Sequence, residues 1–147
     1  MKKSDLRAQP FIATRNHHSS EMAEDYVEII SDLIAYKGYA KIKDIAEHMG
    51  VSHVTVIRTI DRLKKKGYIL SEKHQALALT EEGEKLAAFC KERHEFLLKY
   101  LTTLGVPEMI AQIDVEGMEH HISHTTMNAF RSHLASLEIK LTLANHP

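Results

Sequence analysis

Glu116, Glu119 and His120 stand within the run Asp114-Val-Glu-Gly-Met-Glu-His-His-Ile122. Each residue of an α-helix advances about 100°, so with Glu116 at zero, Glu119 lies at about −60° and His120 at about +40°. The three share one face. Two carboxylates and an imidazole pointing together repel one another and desolvate poorly unless a cation lies among them. Oxygen and nitrogen donors in combination suit a hard or borderline divalent metal. A solvated acidic helix face accounts for the same three residues, so the elements around them must decide.

The chain has 147 residues, 44% of them hydrophobic and 27% charged, which is enough for a core in one domain or in two small ones sharing an interface. A single cysteine, Cys90, excludes an internal disulfide framework and a cysteine-rich zinc site; its expected place is as a small buried hydrophobe. No apolar run reaches the length of a signal peptide or a membrane span, so the expected location is the cytoplasm, with no membrane partner. The net charge of −1 hides an asymmetry. Between Lys41 and Lys73, Lys41, Lys43, Arg58, Arg62, Lys64, Lys65, Lys66 and Lys73 oppose only Asp44, Glu47, Asp61 and Glu72. Such a local excess is what a phosphate-facing surface needs.

Residues 1–20 show no sustained periodicity and contain Pro10, His17 and His18, so a flexible arm is expected, with Ser20 as the N-cap of the first helix. Tyr26, Val27, Ile29, Ile30, Leu33 and Ile34 carry that helix to Lys37-Gly38. Asp25 and Glu28 lie on its other face and, taken alone, read as a solvated pair. A short helix follows from Ala40 to Met49, with Ile42, Ile45, Ala46 and Met49 inward, and Gly50-Val51-Ser52 breaks it. Ser52 is expected to cap a second helix, His53 to Lys66, buried through Val56, Ile60 and Leu63. Short helix, glycine turn and longer helix form a helix-turn-helix. Ser52, His53, Thr55 and Thr59 offer small donors to base edges, while Arg58, Arg62, Lys64 and the preceding Lys41 offer cations to phosphates.

Tyr68 to Glu72 and Leu77 to Leu79, with a turn at 73–75, predict a two-stranded wing. Thr80 is then expected to cap a long helix striped by Leu86, Phe89, Cys90, Leu97, Leu101 and Leu104 and ended by Gly105. On that helix His94, a lone histidine on a mixed face, reads by itself as structural. Pro107 opens the helix bearing the first motif, and Ser123 caps a last helix through Met127, Phe130, Leu134 and Leu137. Phe96, Leu97, Tyr100 and Leu101 suggest a dimer face, and a twofold dimer would present two recognition helices to a palindromic site. The expected fold is mainly α: a winged helix-turn-helix with a small two-stranded wing, followed by an α-helical dimerisation domain. The expected divisions are a flexible arm over 1–20, a DNA-binding domain over 21–80, a helical metal-binding and dimerisation domain over 81–140, and a tail over 141–147.

The pieces Asp25-Tyr-Val-Glu28, Gly38-Tyr39-Ala40, Leu79-Thr80-x-x-Gly83, Arg93-His94-Glu95 and Asp114-Val-Glu-Gly-Met-Glu-His-His121, in that order, resemble the manganese transport regulators. These are the short branch of the diphtheria-toxin-repressor-like metalloregulators, and the likeness runs over about residues 22–135. It implies a manganese-activated homodimer that binds double-stranded operator DNA and represses manganese uptake genes. It also implies a binuclear Mn2+ site, two ions per subunit, between the DNA-binding and dimerisation parts. Carried over by position, the ligands fall on Asp25, Glu28, His94, Glu116, Glu119 and His120. Asp25 and His94 would belong to one metal, Glu116 and His120 mainly to the other, and Glu28 and Glu119 would bridge. Iron-responsive relatives carry softer sulfur donors where this chain has Asp25 and Glu116, so the resemblance favours manganese over Fe2+ or Zn2+. Val54 and the wing turn at 73–76 depart from the family pattern, so neither base preference nor wing contact carries over. Rival readings are a winged-helix regulator of another metal or of an organic ligand, and a dinuclear enzyme. The enzyme reading lacks both a Glu-x-x-His pair and His-Glu-x-x-His. No organic cofactor is expected.

Overall fold

The structure is a computed structural model describing the backbone of residues 3–71 and 76–145, with the side chains among them other than those of 3–7, 15–19 and 71. The chain runs α1 (Lys3–Lys37), β1 (Ala40–Lys41), α2 (Ile42–Met49), α3 (His53–Lys65), β2 (Ile69–Ser71), β3 (Ala76–Leu79), α4 (Glu81–Thr103), α5 (Glu108–Met118), a 3-10 turn (Glu119–His121) and α6 (His124–Asn145). It divides into two compact units, 1–92 and 93–147. The division of contacts falls inside α4, whose first turn is tied to Gly67 and Tyr68 ahead of β2.

In the first unit, Tyr26, Ile30 and Leu33 of α1 meet Ile45 and Ala46 of α2, Val56, Ile60 and Leu63 of α3, and Ile69 and Leu77 of the sheet. The helical spacings read from the sequence therefore do become the core. Burying side chains of this size contributes about 1.5–3 kcal/mol each, so this cluster holds the three helices of the unit against the sheet. Gly50, at φ 65°, ends α2 in the left-handed region, where L side chains are strained. Ser52 caps α3 as expected, its hydroxyl accepting from Thr55 N at 3.2 Å.

The wing holds one strand more than expected. β2 and β3 pair antiparallel, Leu70 opposite Ala78, and β1 adds to the far side of β3 with Ala40 opposite Leu77. The turn expected at 73–75 lies outside the described residues. Thr80 donates its hydroxyl to Gly67 O and accepts from Gly83 N at 3.0 Å, so one side chain both caps α4 and ties it to the end of α3. At Gly83 a Cβ would stand 2.1 Å from the Tyr68 carbonyl oxygen, so only glycine fits this approach.

Two expectations about the chain ends are corrected. α1 starts at Lys3, not at Ser20, and carries Pro10 within it. Proline there forfeits one backbone hydrogen bond, while Thr14 Oγ1 donates to Pro10 O at 2.9 Å. The described side chains over 8–14 are exposed, so this stretch of helix has no apolar stripe for a pattern to reveal. At the other end α6 continues through Asn145, so residues 141–145 of the expected tail are helical.

The second unit is built around Leu97, Val115 and Met127, with Phe96, Leu101, Met118, Ile122 and Phe130 packed against them. Tyr100 stacks on Phe130 at 4.7 Å between centroids, and its hydroxyl meets His133 Nδ1 at 3.0 Å. Phe96, Leu97, Tyr100 and Leu101 are thus core or core-lining rather than the exposed dimer face that their spacing suggested. The α4 end is a glycine-closed turn, with Gly105 at φ 97° and Val106 N bonded to Leu101 O. Ser123 caps α6 through Thr126 N at 3.2 Å, as expected. Cys90 is fully buried. No helix of the described residues is long and apolar enough to cross a membrane.

Candidate metal centre and nucleic-acid interface

α4, α5 and the 3-10 turn position the donors of the second unit. α5 ends at Met118, one residue before the second carboxylate, and Glu119–His121 tighten into 3-10 geometry. A 3-10 turn advances about 120° per residue, so the face predicted for a continuous helix is kept for Glu116 and altered for His120. Glu119 is 1% exposed and His120 5%. Across from them, α4 supplies His94 and Arg93, 25 and 27 residues away in sequence from Glu119 and His120 respectively.

The Glu119 carboxylate divides its oxygens between two imidazoles. Oε2 lies 3.0 Å from His94 Nδ1, and Oε1 lies 3.5 Å from His120 Nε2. Glu116 Oε1 stands 3.8 Å from the same His94 nitrogen while its side chain is 70% exposed. One ligand atom each from His94, Glu116 and Glu119 lies within 4.8 Å of the others. Burial pushes the Glu119 carboxyl above its ordinary range; His94 and His120 pull it back, and Glu116 adds to the rise. A buried carboxylate held by imidazoles and crowded by a second carboxylate is stabilised by a cation that shares its oxygens. Two oxygens and a nitrogen converging from a long helix and the following one fit a divalent ion.

On α1, Asp25 and Glu28 are half-buried, one turn apart, flanking the buried Tyr26 and Val27. The structure of the first unit thus places both carboxylates on a helix that its own core holds rigidly.

Most of the residues expected to face DNA are exposed. Lys41, Ser52, His53, Thr55, Arg58 and Arg62 are exposed and Lys64 is half-exposed, 4.0 Å from Asp61. Ser52 and Thr55 share a hydroxyl contact of 3.0 Å at the start of α3. Thr59 is the exception. It is buried, and its hydroxyl donates to Thr55 O at 3.0 Å, so it faces the core and not solvent. Its position three residues after Val56 already placed it at the edge of the buried stripe. Val54 and Ile57, absent from the expected set, are exposed large apolar residues on the outer side of α3, the kind of surface that meets thymine methyl groups. Their signal in the sequence was apolar character off the Val56, Ile60, Leu63 stripe. Lys41 Nζ sits 5.1 Å over the Tyr39 ring, a cation–π contact that adds an aromatic to this corner.

Residues 18–77 match the family described as "Iron dependent repressor, N-terminal DNA binding domain", and residues 80–140 match "Iron dependent repressor, metal binding and dimerisation domain". The chain is 46% identical over 121 residues to the transcriptional regulator MntR of Escherichia coli O6:H1, covering 82% of this chain and 78% of that one. It is 41% identical over 105 residues to the HTH-type transcriptional regulator MntR of Bacillus subtilis, covering 71% and 74%. Among solved structures, the metal-dependent transcriptional regulator MtsR aligns with a TM-score of 0.70 at 25% identity, and the manganese regulator SloR with 0.66 at 26%. Each alignment covers 77% of this chain and 53% of the other, so this chain spans about half the length of those solved ones. With both units matched in order and this identity to the MntR regulators, the chain belongs to the iron dependent repressor family, metal-dependent transcriptional regulators rather than enzymes.

Proposed function

We propose that this protein is a manganese-responsive homodimeric repressor that binds palindromic operator DNA in the cytoplasm and controls manganese uptake genes. The observation that carries the reading is Glu119: a buried carboxylate whose two oxygens face two different imidazoles, His94 and His120. That is the arrangement a bridging ligand of two ions requires. Glu116, 3.8 Å from His94, serves the His94 side of Glu119 with His120 on the other, a grouping different from the one the resemblance implies, and Asp25 and Glu28 of α1 complete the donor set as that resemblance implies. When bound, two divalent ions supply four positive charges against Asp25, Glu28, Glu116 and Glu119. Those carboxylates repel α1 from the second unit when bare and hold it when neutralised. The mobility and spacing of the two α3 helices across a dimer follow from that clamp.

Hard oxygen donors at Asp25 and Glu116 support manganese, the weakest binder of the divalent series, selected by ligand hardness and geometry. Names of several relatives carry the same metal: one solved structure aligned at 27% identity is a manganese-dependent transcriptional repressor in complex with manganese. A second reading, in which iron or zinc is the effector, draws on the iron-dependent description of both matched domains.

For the dimer, with Leu97 and Tyr100 buried and Phe96 and Leu101 half-buried in the second unit, α5 offers an apolar surface. Met109, Ile110 and Ile113 are exposed large apolar residues of that helix, within the span matched to a dimerisation domain.

Equilibrium dialysis of the purified protein tests the metal assignment. Two manganese ions per chain in the parent, with loss of saturable binding in Glu119→Ala, is the expected result. Undiminished binding by Glu119→Ala would remove this carboxylate from the site.

A further inference from the structure

α3 leaves two large apolar side chains in solvent, Val54 at 55% exposure and Ile57 at 44%. With Val54 at zero around the helix axis, Ile57 lies at about −60° and Arg58 at about +40°, whereas Val56, Ile60 and Leu63 lie between about 180° and 240°. Those last three are buried, so Val54 stands on the side of the helix directly away from the core. Val54, Ile57 and Arg58 thus form one outward ridge.

Cations border this ridge. Arg58 and Arg62 are exposed, and Lys64 is half-exposed, 4.0 Å from Asp61, which lies further along the same ridge. Attraction to phosphates is served by charge, and two hydrocarbon side chains at the centre of the face add nothing to it. They need an apolar target. In the major groove the C5-methyl of thymine is that target, since the other groups on the base edges are hydrogen-bond donors and acceptors. Hydrocarbon laid against a donor or acceptor leaves it unpaired, at the cost of a hydrogen bond. The ridge therefore favours thymine and disfavours the other bases. Three residues advance about 4.5 Å along a helix, against about 3.4 Å between stacked base pairs. The two side chains accordingly address neighbouring base pairs.

We propose that Val54 and Ile57 are specificity-determining residues that read the C5-methyl groups of thymines in two neighbouring base pairs, one such pair of thymines in each half-site. The proposal rests on the operator-binding reading given above. It adds which base the centre of α3 selects and the atoms by which it does so.

The test begins by selecting duplexes from a random library with the purified protein, in parallel with manganese, iron or zinc. In a selected duplex each thymine is then replaced singly by deoxyuridine, which removes the methyl and keeps every hydrogen-bonding group. Affinity is read by fluorescence anisotropy at fixed ionic strength. For the parent, deoxyuridine at either of two neighbouring base pairs should weaken binding about fourfold, the scale of burying one such carbon. Val54→Ala should lose the penalty at one of these base pairs and Ile57→Ala at the other, while Arg58→Ala binds more weakly yet keeps both. Parent protein indifferent to deoxyuridine at every position overturns the proposal alone, as do penalties that persist undiminished in both alanine variants. If a variant does not fold, the deoxyuridine scan of the parent decides. Enrichment of no duplex with any of the three ions would overturn the operator reading, and the proposal with it.

Discussion

Glu119 Oε2 lies 3.0 Å from His94 Nδ1, although α5 and the whole α4–α5 turn separate the two residues in the chain. The contact fixes the carboxylate at the join between α5 and the 3-10 turn, with its second oxygen turned toward His120. A side chain buried to 1% exposure with two imidazoles on it has little freedom to relocate. Glu116, 70% exposed, keeps that freedom.

The two carboxylates should therefore differ under mutation. Glu119→Ala is expected to abolish the metal-dependent tightening on DNA, a coupling of about 1–3 kcal/mol or roughly 5- to 150-fold in affinity, with the helical circular dichroism retained. Glu116→Ala should weaken metal binding and leave part of the response. DNA titrations of both variants with and without manganese would check this; equal, complete loss in both would contradict the distinction drawn between them.

The raised pKa of Glu119 has a definite sign in stability. Its folded-state carboxyl holds its proton to higher pH than the unfolded one. The native state therefore binds more protons between the unfolded pKa and the raised one, and stability falls as pH rises through that window. Chelator-treated parent protein should lose melting temperature relative to Glu119→Gln as pH climbs above the ordinary carboxylate range, and manganese should restore it. Parallel pH profiles of the two proteins would show that the buried charge is not the cause.

At Gly83 the close approach of the Tyr68 carbonyl leaves no room for a side chain. Gly83→Ala should destabilise the first unit by about 1–3 kcal/mol, the usual cost of forcing atoms into a packed position, as read by urea unfolding. An unaltered midpoint would mean that α4 can slide on the wing without penalty.

On α3, Arg58→Ala and Lys64→Ala should weaken DNA binding and each reduce the salt slope by about 0.9 for every phosphate that the variant no longer neutralises. Thr59→Val, which removes only a hydroxyl committed to Thr55 O, should leave DNA affinity unchanged. Affinity measured across a salt series separates the two behaviours, and a specific weakening in Thr59→Val would return that residue to the interface.

The α5 surface gives a prediction for assembly. Ile113→Glu, which sets a charge in an exposed apolar face, should convert the dimer to monomers in sedimentation equilibrium and lower operator affinity, with metal binding retained. A dimer that survives this substitution unchanged would place the interface elsewhere.

The legible features of the sequence were the local ones. Ser52, Thr80 and Ser123 cap helices through contacts three residues ahead, so residue type and spacing suffice to find them. The buried stripes of α1, α2 and α3 were visible because period 3.6 is imposed by the core they face. The features missed depend on partners distant in sequence or on the lack of one. β1 is two residues long, too short to alternate, and exists only because Ala40 meets Leu77. The described side chains over residues 8–14 of α1 are exposed, so no buried stripe announced that stretch. Phe96 to Leu101 read as a surface because the stripe of α4 is visible in sequence, whereas its cover, Phe130 and Met127 of α6, is not. For the candidate site, the grouping of Glu116 and Glu119 was readable from spacing alone. His94 entered only through the family resemblance, and Arg93 behind His120 gave no sign, since donor geometry between two helices is not written in either one.

The central claim is that filling this site switches DNA binding, and fluorescence anisotropy of the purified protein on DNA from upstream of its own organism's manganese-importer gene tests it most directly. Chelator, manganese, iron and zinc are compared at one fixed ionic strength. The account predicts tight binding with manganese and its loss in chelator; equal binding in all four conditions would contradict it and leave the Glu116, Glu119, His94 and His120 cluster without control over DNA.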